Sequence, residues 1–192
     1  MPTPTTEIEF ELSAAQYELM GYPGLQQGQP LSVILETGVL LPNPGAEQWY
    51  VVQAERLAPR FVQIGRATYA FTGQIEAADF QDEDGLESAF LLIDCGEVKL
   101  RAPCAPDQDG RLPYGTWETR TLTGVSRIHG IVEDDFQAPI GVPLGLSIWS
   151  LRRLVLGPGD PIFGEWHETN ALLPLPFRHD RIVITAHLHR WR

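Results

Sequence analysis

The sequence predicts a mainly β protein, an antiparallel barrel or sandwich with one or two short helices. Short runs of alternating apolar and polar residues recur along the chain, and turn-forming residues separate them; the 192 residues include 18 Gly and 16 Pro. About ten short strands separated by turns are typical of sandwiches and barrels. Strands bent by glycine, as at Gly73 and Gly96, would also suit a small barrel of the OB type.

The first predicted elements are a strand and a short helix. Residues 7–12 alternate strictly, which predicts a half-buried strand with Ile8, Phe10 and Leu12 facing inward and the three glutamates on the other face. Ser13 suits a helix N-cap. We therefore expect a short helix from Ser13 through about Met20, which Gly21 ends.

Two strands are predicted over residues 31–41 and 48–54, which are rich in β-branched and aromatic side chains. The turn sequence Pro42-Asn43-Pro44-Gly45 between them predicts that they pair with each other. Residues 57–60, with the breaker Ala58-Pro59, are the one candidate domain boundary. Because no polar linker follows them, we predict a single domain over residues 1–192.

The most regular stretch, residues 67–102, predicts a three-stranded meander. Tyr69, Phe71 and Ile75 share one face of its first strand, and a turn at residues 82–85 leads into the second strand. The third strand alternates apolar and charged residues, which gives the meander a charged outer face.

The remaining segments are less uniform. Residues 116–125 and 127–133 predict a second hairpin-like pair. Residues 146–156 are ambiguous, because Ile148, Leu151 and Val155 have helical spacing while the β-rich surroundings favour a strand. Residues 181–190 alternate again and predict a final strand with Ile182, Ile184, Ala186 and Leu188 facing inward.

Charge divides the chain unevenly. The protein has 14 basic and 25 acidic residues and a net charge of −11. Residues 1–100 carry four basic and 15 acidic side chains, and residues 101–192 carry ten of each, so the first half holds the whole net charge. A chain of this charge repels a phosphate backbone at long range, which disfavours broad binding of nucleic acid.

Cysteine content and the N-terminal sequence indicate the compartment. Cys95 and Cys104 are too few for a zinc knuckle, and we predict two buried thiols, with a disulfide or a nucleophile as the alternatives. The first residues contain neither a basic nor an apolar leader region, and no window reaches 18 apolar residues. We therefore expect a cytoplasmic protein without a membrane segment.

The last predicted strand carries a candidate metal site. His187 and His189 are two residues apart, so both side chains leave the same face of a strand and could supply half of the ligands of a divalent metal. The alternative is an exposed polar face. The candidates for a third ligand are His129, Glu165, His167, Glu168 and His179. A metal-dependent hydrolase is the function that this pair would support, although the HExxH signature is absent.

A second candidate lies in the sequence Glu165-Trp166-His167-Glu168. His167 could transfer protons near neutral pH, with Glu165 and Glu168 as the accompanying carboxylates. The alternative is a solvated loop that Trp166 anchors to the core. The sequence contains no GxSxG, GxxxxGK[ST] or GxGxxG motif, so no other catalytic class is indicated.

Two binding functions remain. An OB-like barrel binds single-stranded nucleic acid through aromatic and Arg side chains. The candidates for that role are Tyr69, Phe71, Trp117, Trp149, Arg120, Arg127, Arg152 and Arg153. The function we predict first is a non-enzymatic module that binds a protein partner, because no catalytic motif is assembled. Its acidic first half would meet a basic surface, or its Arg- and Trp-containing C-terminal part would meet an acidic one. The binding candidates of that part are Trp117, Arg152, Arg153, Arg190 and Trp191.

Overall fold

The computed structural model describes residues 7–13, 24–41, 49–83, 86–105, 120–132, 141–172 and 180–189, without the side chains of residues 79–83 and 86–88. Over these ranges the protein is all β, and no helix occurs in them. The prediction of a mainly β fold is confirmed. The short helix expected after Ser13 lies outside the described residues.

The described strands are numbered in chain order. They are β1 Glu7–Ser13, β2 Leu25–Gln26, β3 Pro30–Glu36, β4 Tyr50–Gln53, β5 Arg60–Gly65, β6 Thr68–Glu83, β7 Leu86–Asp94, β8 Lys99–Cys104, β9 Thr121–Arg127, β10 His129–Val132, β11 Leu144–Leu154, β12 Trp166–Thr169, β13 Ala171–Leu172 and β14 Arg181–Leu188.

The chain divides into two compact units. Unit 1 comprises residues 1–33, 129–138 and 143–192, and unit 2 comprises residues 34–128 and 139–142. Residues 57–60, the candidate boundary, lie inside unit 2.

Unit 1 is built on the two ends of the chain. β1 pairs antiparallel with β14 and parallel with β10, and β14 pairs in turn with β11. One face of this sheet is core, because Phe10 stands opposite Ile184 and both are fully buried. Burying an aliphatic or aromatic side chain of this size contributes roughly 1.5–3 kcal/mol. The inward faces predicted for the first and last strands are therefore correct.

The other face of β1 departs from a simple half-buried strand. Glu9 and Glu11 keep only 9% and 5% of their surface exposed, and on β14 their neighbours Thr185 and Val183 are buried too. Glu11 meets the Arg181 guanidinium through two hydrogen bonds of 2.6 Å. The alternation of apolar and polar residues identified the two faces of β1, but it could not show that both faces would be buried.

The ambiguous segment is strand β11. A register shift between Ile148 and Ser150 places Ile148 opposite Ala186 and Leu151 opposite Ile184, so both side chains face the core although they are three residues apart. The apparent helical spacing is thus produced by a β-bulge, which adds one residue to an alternating strand.

Unit 2 is organised around β6. β9 pairs with one edge of β6, while β5 and then β7 pair with the other, and β8 follows β7. The predicted meander is confirmed as β6, β7 and β8. Gly73 lies at a close approach in it, since an added Cβ would come within 2.5 Å of the Ile93 side chain and 2.8 Å of the Asp94 carbonyl. Only glycine fits there without a shift of the backbone.

Two predicted pairings are wrong. β3 pairs with β8 and β11, and β4 pairs with β9, so these two segments do not form a hairpin. Their described link is a side chain, the Tyr50 hydroxyl, which donates to the Leu41 carbonyl at 2.7 Å. β9 pairs with β4 and β6, whereas β10 pairs with β1. Local turn sequences favour hairpins, but the burial of each strand decides its partner.

Candidate functional site

The two predicted metal-ligating histidines lie at the end of β14. The His187 ring stacks on Trp149, with 5.1 Å between centroids, and its Nε2 is 3.8 Å from the Glu7 carboxylate. His189 Nε2 is 2.5 Å from the Ser147 hydroxyl. Trp149 occupies the bulge of β11 and is 55% exposed. The two imidazole rings therefore contact different side chains.

The predicted loop 165–168 is mostly strand β12, at the edge of unit 1's sheet. His167 stands opposite Arg153 and Glu168 opposite Arg152, whose Nε is 3.1 Å from the Glu168 carboxylate. Arg153 approaches the buried Asp180 at 3.1 Å. Arg152 and Arg153, two of the arginines predicted as binding residues, thus face carboxylates of the same unit.

The two candidate sites do not converge. His187 stands opposite Ser147 and His167 opposite Arg153, six residues further along β11, which corresponds to about 20 Å. Residues 165–168 therefore do not supply the third ligand to the histidine pair. His129, opposite Glu11, is four residues along β1 from the His187 position, or about 13 Å.

Other predicted site residues lie beyond this geometry. No group of three or more His, Cys, Asp or Glu within the described ranges could hold a metal ion. His179, Trp117, Arg190 and Trp191 lie outside the described residues. The metal site and the hydrolase that it would support stay predictions.

Both cysteines are free and buried, as predicted. Burial raises the pKa of each thiol from its ordinary value of about 9 to about 12, and the negative charge of Asp94 adds to the effect at Cys95. A nucleophilic cysteine needs an accessible thiolate. These two thiols are structural.

The protein is therefore expected to lose stability between pH 9 and pH 12. A raised pKa in the folded state means that the stability is intact below the unfolded pKa and decreases as pH rises, because the unfolded chain releases the thiol proton first. At pH 10 the loss is roughly 1 kcal/mol per thiol. Urea denaturation of the wild type and of Cys95→Ala at pH 8 and pH 10 measures it. An equal pH dependence of the unfolding free energy in the two proteins would show that the buried Cys95 thiol does not cause the loss.

An exposed apolar surface occurs in unit 2, on the face formed by β4, β9, β6 and β5. Val62, Ala70 and Val125 stand side by side across β5, β6 and β9. The adjacent row runs through Val51 on β4 and Thr123 on β9. The large aliphatic residues of this surface, which we call the valine face, have exposed fractions of 54% for Val51, 39% for Val62 and 44% for Val125. Ile64, 58% exposed, follows at the bulge of β5.

The valine face contains a shallow depression of about 300 Å³, whose lining also includes Trp49, Tyr50 and Phe71. Thr72 and Thr123 lie in it, with their hydroxyls hydrogen-bonded at 3.2 Å, and Arg60 lines one side. Exposed Arg127 lies two residues beyond Val125 on β9. The depression thus combines an apolar surround, paired hydroxyls and a guanidinium.

The positions of the basic residues in the first half of the sequence also indicate this surface. Three of the four basic residues in the acidic first half are Arg56, Arg60 and Arg66, within and around β5. All three are exposed. The acidic half therefore carries a local concentration of positive charge beside the valine face.

The aromatic residues proposed for base stacking differ in how far they are exposed. Tyr69 and Phe71 are 3% and 1% exposed, so neither presents a ring to a nucleobase, whereas Trp149 is exposed. Of the arginines in that set, Arg152 and Arg153 face carboxylates. Among the described aromatic residues of that set, Trp149 is the exposed one.

Comparisons with known proteins add no relative. No family model, no curated protein and no solved structure matches the chain. In the part of the chain that the structure describes, no helix has the length and apolar character needed to cross a membrane.

Proposed function

We propose that this chain is a non-enzymatic binding module that docks a protein partner on the valine face of unit 2. The observation that supports the proposal is the group of three valines, 39–54% exposed, on β4, β5 and β9 of this sheet, with Ile64 next to them at the bulge of β5. Single exposed apolar residues are ordinary, but contiguous apolar patches with a polar rim mark interaction sites. The buried centre of a protein interface is more apolar than its polar rim, and Arg is enriched in interfaces relative to the rest of the surface.

A protein fits this surface better than the other ligand classes. A depression of about 300 Å³ is at the lower limit of small-molecule sites, and of the aromatic residues in its lining Tyr50 and Phe71 are almost completely buried. Aliphatic side chains do not stack on nucleobases as aromatic rings do. Side chains projecting from a partner surface could enter such a depression while the surrounding valines exclude water.

The compartment and the sheet arrangement are part of the same proposal. Cys95 and Cys104 are both free thiols, which suits a reducing compartment such as the cytoplasm. The parallel pairs β1–β10 and β3–β8 make the strand pairing mixed rather than purely antiparallel. A barrel or sandwich, including the OB type, would leave one sheet face available for binding while the other forms the core.

Selection from a displayed library of random peptides on the immobilised full chain tests the docking proposal. Enriched peptides should bind Ile64→Asp at least tenfold more weakly, because a charge would be desolvated in the apolar contact. Phe163→Asp is the matched control, since Phe163 in unit 1 is also 58% exposed. It should bind the peptides normally.

Two results would contradict the docking proposal. One is the absence of any enriched peptide. The other is equal binding of the enriched peptides to the Ile64→Asp and Phe163→Asp proteins.

A further inference from the structure

We infer that the segment docking on the valine face is acidic as well as aliphatic, and that it belongs to a different protein rather than to a second copy of this chain. This inference rests on the proposed docking function and specifies its partner. Its basis is the charge around the face.

Positive charge is concentrated where the protein is otherwise most negative. Residues 1–100 contain four basic residues, and three of these, Arg56, Arg60 and Arg66, fall within eleven consecutive positions. Arg60 lines the depression, in register with Thr72, while Arg56 lies four residues earlier in the exposed segment before β5. Arg66 and Arg127 are exposed too, but each has a further interaction within the chain, so Arg56 and Arg60 carry the argument.

Guanidinium groups beside an apolar patch select the charge of the partner. The rim of an interface keeps water out of the contact that it surrounds, which lowers the dielectric there. A positive charge placed against Arg60 would therefore be strongly repelled. A carboxylate can instead form a forked pair with Arg. The favoured ligand therefore places aliphatic side chains on Val51, Val62 and Val125 and carboxylates against Arg60 and Arg56.

A symmetric dimer through this face is disfavoured by the same residues. In a two-fold contact each copy presents the same patch to the other. A two-fold contact of two valine faces would bring the Arg60 guanidinium of each copy to the same positively charged surface of the other, because Arg60 lines the depression. Like charges brought together at lowered dielectric repel each other.

Two synthetic peptides with the same Val positions test the charge preference, one with Glu and the other with Lys at all remaining positions. The Glu peptide should bind the full chain at least tenfold more tightly than the Lys peptide, with affinity that decreases as salt rises. Arg60→Gln should weaken Glu-peptide binding several-fold. Gln27→Glu is the matched control, because it changes the net charge by the same amount at an exposed turn of unit 1, and it should leave binding unchanged.

The outcomes separate this inference from the docking proposal. If both peptides bind equally and Ile64→Asp abolishes both, the valine face is a docking site and the charge inference is wrong. Failure of the Glu peptide to bind, or binding that Arg60→Gln leaves unchanged, also overturns the inference. Sedimentation equilibrium should show a monomer. A dimer that Ile64→Asp dissociates would assign the face to a second copy instead.

Discussion

Arg181→Met is expected to lower the free energy of unfolding by about 3 kcal/mol, because it removes the guanidinium that donates two hydrogen bonds to the buried Glu11 carboxylate. The Glu11 side chain is only 7% exposed and accepts two hydrogen bonds of 2.6 Å from Arg181. The pairing with Glu11 also raises the pKa of Arg181, so the guanidinium stays charged at every ordinary pH. Denaturant unfolding at neutral pH measures the loss.

The chain offers a closely matched control for this prediction. In the ion pair between Arg152 and Glu168 the arginine side chain is 34% exposed, as the Arg181 side chain is, but the carboxylate is 74% exposed. Arg152→Met should therefore cost less than about 1 kcal/mol, as exposed ion pairs do. Adding Glu11→Leu to Arg181→Met should restore most of the stability, since an apolar replacement removes the buried charge. Equal losses in the two single variants would show that burial of the carboxylate is not the cause.

Gly130→Ala is expected to destabilise the protein by about 3 kcal/mol. A Cβ at this position on β10 would lie 2.2 Å and 2.4 Å from two atoms of the Phe10 ring. Phe10 is fully buried between β10 and the core of unit 1, so the ring cannot move into solvent. Overpacking of this kind typically costs 1–3 kcal/mol, and a clash with a buried ring belongs at the upper end.

Gly157→Ala separates the steric effect from the general effect of removing a glycine. No atom lies within 4 Å of a Cβ added at Gly157, which is in the same unit. Its stability should stay within about 0.5 kcal/mol of the wild type or rise slightly, because alanine restricts the unfolded chain. A Gly130→Ala protein as stable as Gly157→Ala would contradict the packing described for Phe10.

The strands were predictable where one face is core and the other is not. The alternation of residues 7–12 and 181–190 identifies Phe10 and Ile184 as inward, and the structure pairs them. The β6–β7–β8 meander was predictable because its strands are consecutive and its turns are local. In both cases the signal is contained within a few residues.

Partners distant in sequence were not predictable from local pattern. β1 pairs with β14 across almost the whole chain, and β3 pairs with β8 rather than with the next strand. Non-local pairing depends on the total burial that each arrangement achieves, which no short window contains. The bulge in β11 likewise imitates helical spacing when the sequence is read alone.

The candidate site was predicted only in part. The pairs Arg152–Glu168 and His187–Trp149 join residues of unit 1 that the sequence had singled out, but no described cluster has the ligand count of a metal centre. The valine face was missed because Val62 and Val125 look like ordinary core residues in a β sequence. Exposure depends on how the sheet is covered, and amino-acid type does not report it.

Mapping the contact surface by NMR tests the central proposal most directly. The ¹⁵N-labelled chain, titrated with the most enriched displayed peptide, should show its largest amide shift changes on β4, β5, β6 and β9, around Val51, Val62 and Val125. The amides of β11, β12 and β14 should stay unchanged. Shift changes concentrated around Trp149, His187 and Arg152, with the valine face unaffected, would contradict the account.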